Sequence, residues 1–446
     1  MSKAVMVTAS NDQPVRNGRV PASMRLHERA ARVIPGAAQT FSKSASQLAV
    51  GVSPMFIDRA AGAYVWDVDG HRYLDYMMGL GPAILGHAYE PVVAAQIEQL
   101  RRGQSPSLST LVEVEVAELI CEIVPCAEMV RFGKNGSDVT AAAIKLARFA
   151  TKRDHVAAGG YHGWQDWTIG ATDRAAGIPQ AVRELTHRFN QRDPATLQAV
   201  LETHAGKIAA VILEPANYGA AADAGILKEM QRLAHQHGAV LIFDEVLSGF
   251  RTHRGCIQGE TGVTPDLCTL GKALANGAPL SAIAGRADLM KPLGNEVFFS
   301  FTFGGEAVSL AAARATLTIM RDQPVCDYLI RLGQRLREGI NQYAEKYGLQ
   351  HCIRVTGPGP LLNTTFGDDA NASLDEIKTF YVQEMNQRGI LCLGYMVISF
   401  SHTDADIDAT LQAYDEVFQL IRQHLDRKTL RDNLRCPLIA PVFRSR

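Results

Sequence analysis

A chain of 446 residues with 47% hydrophobic content exceeds one ordinary core, so two packed domains with terminal extensions are expected. Lys and Arg total 45 against 46 Asp and Glu, a formal net charge of -1, and no long run of one sign offers a grip on nucleic acid or an anionic membrane. The opening residues mix Lys3, Asn11, Asp12, Arg16 and Arg19 without the apolar core of a secretory signal, and nowhere do about 18 apolar residues run together, which predicts a cytoplasmic protein.

In chain order, the stretch to about Asn17 is polar and aperiodic and reads as a loose arm, with order beginning near Pro21 and helical spacing from Met24 to Val33. Tyr64 to Asp75 alternates apolar and polar residues around Asp69-Gly70, a dipeptide that accepts the positive φ of a tight turn, and predicts a β-hairpin. Amphipathic helical patterns over Val92 to Arg101, Leu111 to Ile123, Thr140 to Ala150 and Leu227 to His237 then alternate with apolar runs. Those runs are Met129 to Phe132, His155 to Ala158, Ile208 to Leu213 and Ala239 to Phe243. Such alternation predicts an α/β fold with a mainly parallel sheet covered by helices. After about Ala315 the pattern becomes a long amphipathic helix, a turn at Gly357-Pro358-Gly359-Pro360, a strand at Leu361 to Phe366, a helix near Ala372 to Gln387 and a strand at Val397 to Ser401. This predicts three units: an arm and hairpin over residues 1–85, a large domain over 86–315 and a smaller α+β domain over 316–446. The eight cysteines (Cys121, Cys126, Cys256, Cys268, Cys326, Cys352, Cys392 and Cys436) form no CxxC pair and have no histidine at zinc spacing, so reduced, mostly packed thiols and no metal site are expected.

Four features bear on chemistry. Ala239-Val-Leu-Ile-Phe-Asp-Glu ends a buried strand with Asp244, and in open α/β sheets ligands sit beyond the carboxyl ends of strands. Leu267-Cys-Thr-Leu-Gly-Lys delivers Lys272 at the end of a second apolar run, where desolvation would turn an ammonium into a nucleophile toward aldehydes. Val130-Arg-Phe-Gly-Lys-Asn-Gly-Ser-Asp places Gly136 and Ser137 at a helix start, where free N–H groups and the macrodipole hold phosphate. Gly159-Gly-Tyr-His-Gly-Trp sets an aromatic platform at the same sheet edge. Singly, each has an ordinary reading: a helix cap, a surface lysine in a βα loop, a core aromatic.

Together and in this order, these segments resemble the class III aminotransferases, pyridoxal 5'-phosphate (PLP) enzymes of fold type I, and most closely the glutamate-1-semialdehyde 2,1-aminomutase-like subgroup. The match is dense from about Pro35 to Arg321. The resemblance implies an aspartate aminotransferase-like fold, with a large domain built on a seven-stranded, mainly parallel sheet and a smaller α+β C-terminal domain. It implies that Lys272 carries PLP as a Schiff base and serves as the acid–base group, and that Asp244 bonds the pyridine nitrogen. Val246 would pack on the ring, Tyr161 of the Tyr161-His162-Gly163 segment would stack on it, and Glu214 and Asn217 match the family's Glu-Pro strand end. Gly136 and Ser137 match its phosphate-binding pair, and Thr302 matches the threonine that reaches the neighbouring subunit's phosphate, which implies a homodimer. The partners implied are a small-molecule amino donor and a carbonyl acceptor.

Two departures favour intermolecular transamination over the aminomutase's internal exchange. Thr40 and Lys43 stand where the aminomutase has a serine and an arginine expected to grip the substrate carboxylate, and an ammonium does not reproduce a bidentate fork. The position of the aminomutase's active-site glutamate falls near Gly394, beside Tyr395-Met396. Among other classes, a hydride or phosphoryl transferase would need a GxGxxG or GxxxxGK[ST] segment, and neither occurs. A non-catalytic PLP-binding protein would not need both Lys272 and Asp244.

Overall fold

The computed structural model describes residues 20–439; the polar arm expected up to Asn17 lies outside them. Strands β1 (Ile57–Ala61), β2 (Tyr64–Asp67) and β3 (Arg72–Asp75) open the described chain, and β2 and β3 form the expected hairpin, with Gly70 at φ +88° in its turn. The central run is β4 (Met129–Gly133), β5 (His155–Gly159), β6 (Thr186–Arg188), β7 (Ile208–Leu213), β8 (Val240–Glu245), β9 (Leu267–Leu270) and β10 (Ser281–Gly285). These seven form one sheet in the order β4-β10-β9-β8-β7-β5-β6, parallel from β9 to β6 and antiparallel at β10.

The sheet is covered on both faces, which is why its strands read as continuous apolar runs. All six residues of β7 and all six of β8 are buried. On one face Ala210, Ile212 and Ile242 meet Val139, Ile144 and Leu146 of the helix Gly136–Thr151. On the other, Val211, Leu241 and Phe243 belong to the large core with Leu227, Met230 and Leu233 of the helix Ala224–Gln236.

The remaining strands are β11 (Ile353–Thr356), β12 (Leu361–Phe366), β13 (Ile390–Leu391) and β14 (Tyr395–Val397). A three-stranded sheet runs β11-β12-β14, while β13 pairs in parallel with β3 and joins the N-terminal hairpin's sheet. The long helix expected after Ala315 is two helices, Ala307–Asp322 and Val325–Lys346. They part at Gln323, held at φ -124° and ψ 151° because Pro324 excludes the helical region from the residue before it. The strand expected at Val397 to Ser401 sits earlier, at Tyr395–Val397. Beyond it the Ile398 and Phe400 N–H groups donate to the carbonyls of Pro360 and Ile84, which lie in loops. No helix among the described residues is long and apolar enough to cross a membrane.

The Gly357-Pro-Gly-Pro turn is pressed between the helix Val325–Lys346 and the segment after β7. A Cβ on Gly333 would lie 1.7 Å from the Gly359 carbonyl oxygen, and one on Gly357 would lie 3.0 Å from the Gly219 nitrogen. Gly333→Ala must therefore move backbone, and we expect it to lower the unfolding free energy by about 1–3 kcal/mol, as overpacking of a core does, in urea titrations read by far-UV circular dichroism. An unchanged denaturation midpoint would show that the helix and turn separate without cost.

Candidate active site

The carboxyl ends of β5, β7, β8 and β9 converge on one cleft, together with the loop after β4. Asp244, 4% exposed, stands opposite Thr269 in the β8–β9 ladder. Its Oδ1 accepts the Thr269 hydroxyl at 3.0 Å and the Val246 N–H at 3.1 Å, and its Oδ2 lies 2.8 Å from His162 Nδ1. An ionised carboxylate only accepts, so Nδ1 carries the proton. The His162 ring is buried nearly parallel to Trp167, at 14° and 6.0 Å between centroids, and its Nε2 has no hydrogen-bond partner among the described residues. His162 thus fixes the plane of Asp244.

Lys272 follows β9 with φ +44°, a left-handed conformation that an L-residue holds only where the surroundings impose it. Burial, reinforced by the Arg251 guanidinium and opposed by Glu214 and Asp244, brings its ammonium pKa down to about 8. Arg251 is itself fully buried, and burial lowers its pKa to about 10. It donates from Nε to the Leu247 carbonyl at 2.6 Å and from Nη2 to the Gly81 carbonyl. Glu214, just past β7, accepts the Tyr161 N–H at 3.0 Å, and burial together with nearby Asp244 raises its pKa. Asn217 closes a turn through its N–H to the Ala220 carbonyl at 3.1 Å.

The helix Gly136–Thr151 points its N-terminus into the same cleft, with Asn135 and Asp138 forming a capping box. A Cβ on Gly136 would come within 2.9 Å of Val246 Cγ1, and one on Gly271 within 3.2 Å of the same methyl. Val246 is therefore seated between the helix start and the lysine loop. Ser137 is buried and its hydroxyl accepts the Trp164 N–H at 3.2 Å. Gly163, at φ +101°, lies so close that a Cβ would fall 2.2 Å from Ser137 Oγ, so the Tyr161-His162-Gly163 loop closes directly on the helix start. The Tyr161 side chain is 56% exposed, and burial of the rest, with Asp244 and Glu214 nearby, raises its pKa.

The structure thus gathers Asp244, His162, Glu214, Tyr161, Val246, Lys272, Gly136 and Ser137, whereas Thr302, Thr40 and Lys43 are exposed. Beyond Thr302, the Phe303-Gly-Gly-Glu run has a structural role. Glu306 caps the helix Ala307–Asp322 and pairs with Lys134 at 2.9 Å, tying this loop to the one before Gly136. Burial works against the ionised Glu306, but bonds from Ser309 and Lys134 outweigh it and hold its pKa low.

Sequence reasoning missed Thr269, Trp167, Arg251 and Glu245. A lone hydroxyl within the apolar run Leu267 to Leu270 was the available signal for Thr269. Glu245, beside Asp244, points away into the core. It accepts the Ile257 N–H at 2.6 Å and the Gln258 amide at 3.0 Å, and burial raises its pKa to about 7.

Comparison with known proteins identifies the family of the chain. The Aminotransferase class-III family model matches residues 46–418. Glutamate-1-semialdehyde 2,1-aminomutase of Rhodopirellula baltica is 36% identical over 93% of this chain and 100% of its own length. The 3-aminobutyryl-CoA aminotransferase of Cloacimonas acidaminovorans is 31% identical over 90% of this chain and 98% of its own. Among solved structures, the FumI protein of Sphingopyxis sp. MTA144, in its PLP internal aldimine form, superposes with a TM-score of 0.84 at 32% identity, covering 91% of this chain and 97% of that one. The chain belongs to the class III aminotransferases, enzymes that use PLP as cofactor and act on small molecules.

Proposed function

We propose that this enzyme transfers an amino group from a separate amino donor to a separate carbonyl acceptor, with PLP held by Lys272, Asp244 and the start of the helix Gly136–Thr151. The residues present fit that cofactor: a buried carboxylate met by three hydrogen-bond donors, an amine desolvated toward neutrality, and glycines at 136 and 163 that let the helix start close on Val246 and on the Tyr161 loop. When bound, PLP supplies an aldehyde that condenses with amines and a ring that withdraws electrons from a deprotonated carbon.

The chain's own groups do the rest. Asp244, oriented by His162 and Thr269, keeps a proton on the ring nitrogen. Lys272, with a pKa of about 8, moves a proton to and from the substrate carbon at neutral pH. Backbone N–H groups at Gly136 and Ser137 would hold the phosphate with help from the helix dipole, and Tyr161 and Val246 would bound the space for the ring.

The observation that favours transamination over internal exchange is a cavity of about 380 Å3 that holds the second departure, at Gly394 and Tyr395, and reaches Ser42, while Thr40 and Lys43 are exposed outside its wall. Ser42, beside Lys43, lines it together with Gly394 and Tyr395. Its cation is Lys378, desolvated and low in pKa, and no arginine contributes to the wall, so a bidentate grip on a dicarboxylate-derived substrate is missing there. The Tyr395 ring lies 5.2 Å from that of Tyr218, tilted by 45°, and Tyr218 lies on the segment leaving Glu214. The second reading, glutamate-1-semialdehyde 2,1-aminomutase, is supported by the name of several relatives at 33–38% identity. We also propose a homodimer. Leu108, Leu111, Phe298 and Phe303 are 84%, 70%, 76% and 56% exposed, and the last two flank Thr302 closely in sequence, an apolar surface suited to burial against a second copy.

Borohydride treatment of the yellow holoenzyme is expected to fix a pyridoxyl group on Lys272, and Lys272→Ala to remove that labelling; label on another lysine in the variant would reject the assignment. Asp244→Asn should still bind PLP but lose turnover by several orders of magnitude, and near-normal rates would reject its role.

Sedimentation should show a dimer at assay concentration. Thr302→Ala should weaken PLP retention by about 1.5–3 kcal/mol, the loss of one charge-assisted hydrogen bond, and a fully active monomer would contradict the shared site.

Protein loaded with pyridoxamine 5'-phosphate and given glutamate-1-semialdehyde without any amino donor should form little 5-aminolevulinate. Sustained catalytic formation of that product would replace the transaminase reading with the aminomutase.

A further inference from the structure

At the amino ends of the strands that carry the active site, three histidines meet. His155 opens β5, His187 lies in the neighbouring edge strand β6, and His204 follows the helix Pro194–Thr203. His155 Nδ1 and His187 Nε2 are 2.8 Å apart. The His187 and His204 rings face each other at 3.6 Å between centroids and 20°, and the His155 ring lies 5.1 Å from His187 and 5.6 Å from His204. One ring nitrogen from each of the three falls within 4.8 Å of the others, and all three side chains keep partial exposure. Residues 155 to 159 of β5 separate this cluster from the loop bearing Tyr161 by about 13 Å of strand, so it is no part of the cofactor site.

We propose that His155, His187 and His204 form a binding site for a divalent transition-metal ion of the zinc class, with a fourth position open to water. Zinc–nitrogen bonds of about 2.0–2.1 Å place tetrahedral ligand atoms about 3.3 Å apart, a spacing between the 2.8 Å contact and the 4.8 Å limit found here. Two small adjustments complete the site. The ring that donates in the His155–His187 contact moves its proton to its other nitrogen, and His204 tilts off the face of His187 so that both lone pairs converge.

For His155 and His187 the surroundings favour the neutral imidazole that ligates metal. Burial, then the other two rings, lowers the pKa of His187 to about 4. Burial, then His204 and Lys207, lowers that of His155, with Arg148 adding to the shift and Asp154 opposing it. Lys207 and Arg148 also repel a dication, which weakens binding at this site. Cysteine spacing and local histidine spacing could not reveal it, because 32 and 17 residues separate the three histidines and only the β5–β6 pairing and the end of the helix Pro194–Thr203 bring them together.

The test is titration of the full-length holoenzyme with Zn2+ by calorimetry, repeated with Co2+ read by visible absorption outside the PLP band. One ion per chain is expected, with affinity reduced at least about tenfold in both His187→Ala and His204→Gln while PLP absorbance and turnover stay unchanged. His204→Gln keeps a polar group at a partly exposed position and decides the question if His187→Ala does not fold. Absence of stoichiometric binding would overturn the proposal. So would binding of equal strength in the wild type and His204→Gln, which would place the ion elsewhere, for instance at His351, Cys352 and Asp369.

Discussion

A carboxylate that is 4% exposed at the end of a wholly buried strand persists in charged form only if donors replace the water it has lost, and the active centre is arranged around satisfying Asp244 in that way. Thr269 comes from the adjacent strand and His162 from the loop after β5, so the β8–β9 register and the path of the Tyr161-His162-Gly163 loop are both tied to this one group. The same loop must approach Ser137 closely, which accounts for glycine at position 163 and brings the helix start beside the lysine loop through Val246. Disturbing the Asp244 network would therefore loosen the start of the helix Gly136–Thr151 and the lysine loop together.

Lys272 illustrates how the fold sets chemistry by environment. A lysine amine in water is charged at neutral pH. Here burial and the fully buried Arg251 destabilise that charge more than Glu214 and Asp244 restore it. The left-handed backbone of Lys272 adds local strain that the β9 strand and the short turn after it must hold in place. Two adjacent acids show the complementary case: Asp244 faces the cleft with three donors, whereas Glu245 faces the core, bonds Ile257 and Gln258, and is driven toward its neutral form.

The two ends of the sheet have different characters. At the carboxyl ends the groups are charged, converging and enclosed by glycine-rich loops, the setting for a reactive anionic cofactor. At the amino ends of β5 and β6 the three histidines are partly exposed, and burial lowers the pKa of His155 and His187. The cavity at Ser42, Gly394 and Tyr395 lies on neither. It sits at the junction of the N-terminal segment with the smaller sheet.

The sequence by itself determined the order of elements, the hairpin at Asp69-Gly70, the parallel sheet and the positions of Asp244, Lys272, Gly136 and Ser137, because strand periodicity, turn chemistry and helix starts are encoded within a few neighbouring residues. Pro324 showed locally where a helix must break, although the periodic pattern running through it masked the break. Other features were decided only by tertiary structure, since they depend on contacts between residues far apart in the chain. His162 and Thr269 reach Asp244 across 82 and 25 residues, β13 pairs with β3 from the far end of the chain, and Lys134 finds Glu306 across 172. The direction of Glu245 was likewise set by packing, because Asp244 and Glu245 are equivalent as letters and only the alternation of a buried strand sends one to the cleft and the other to the core.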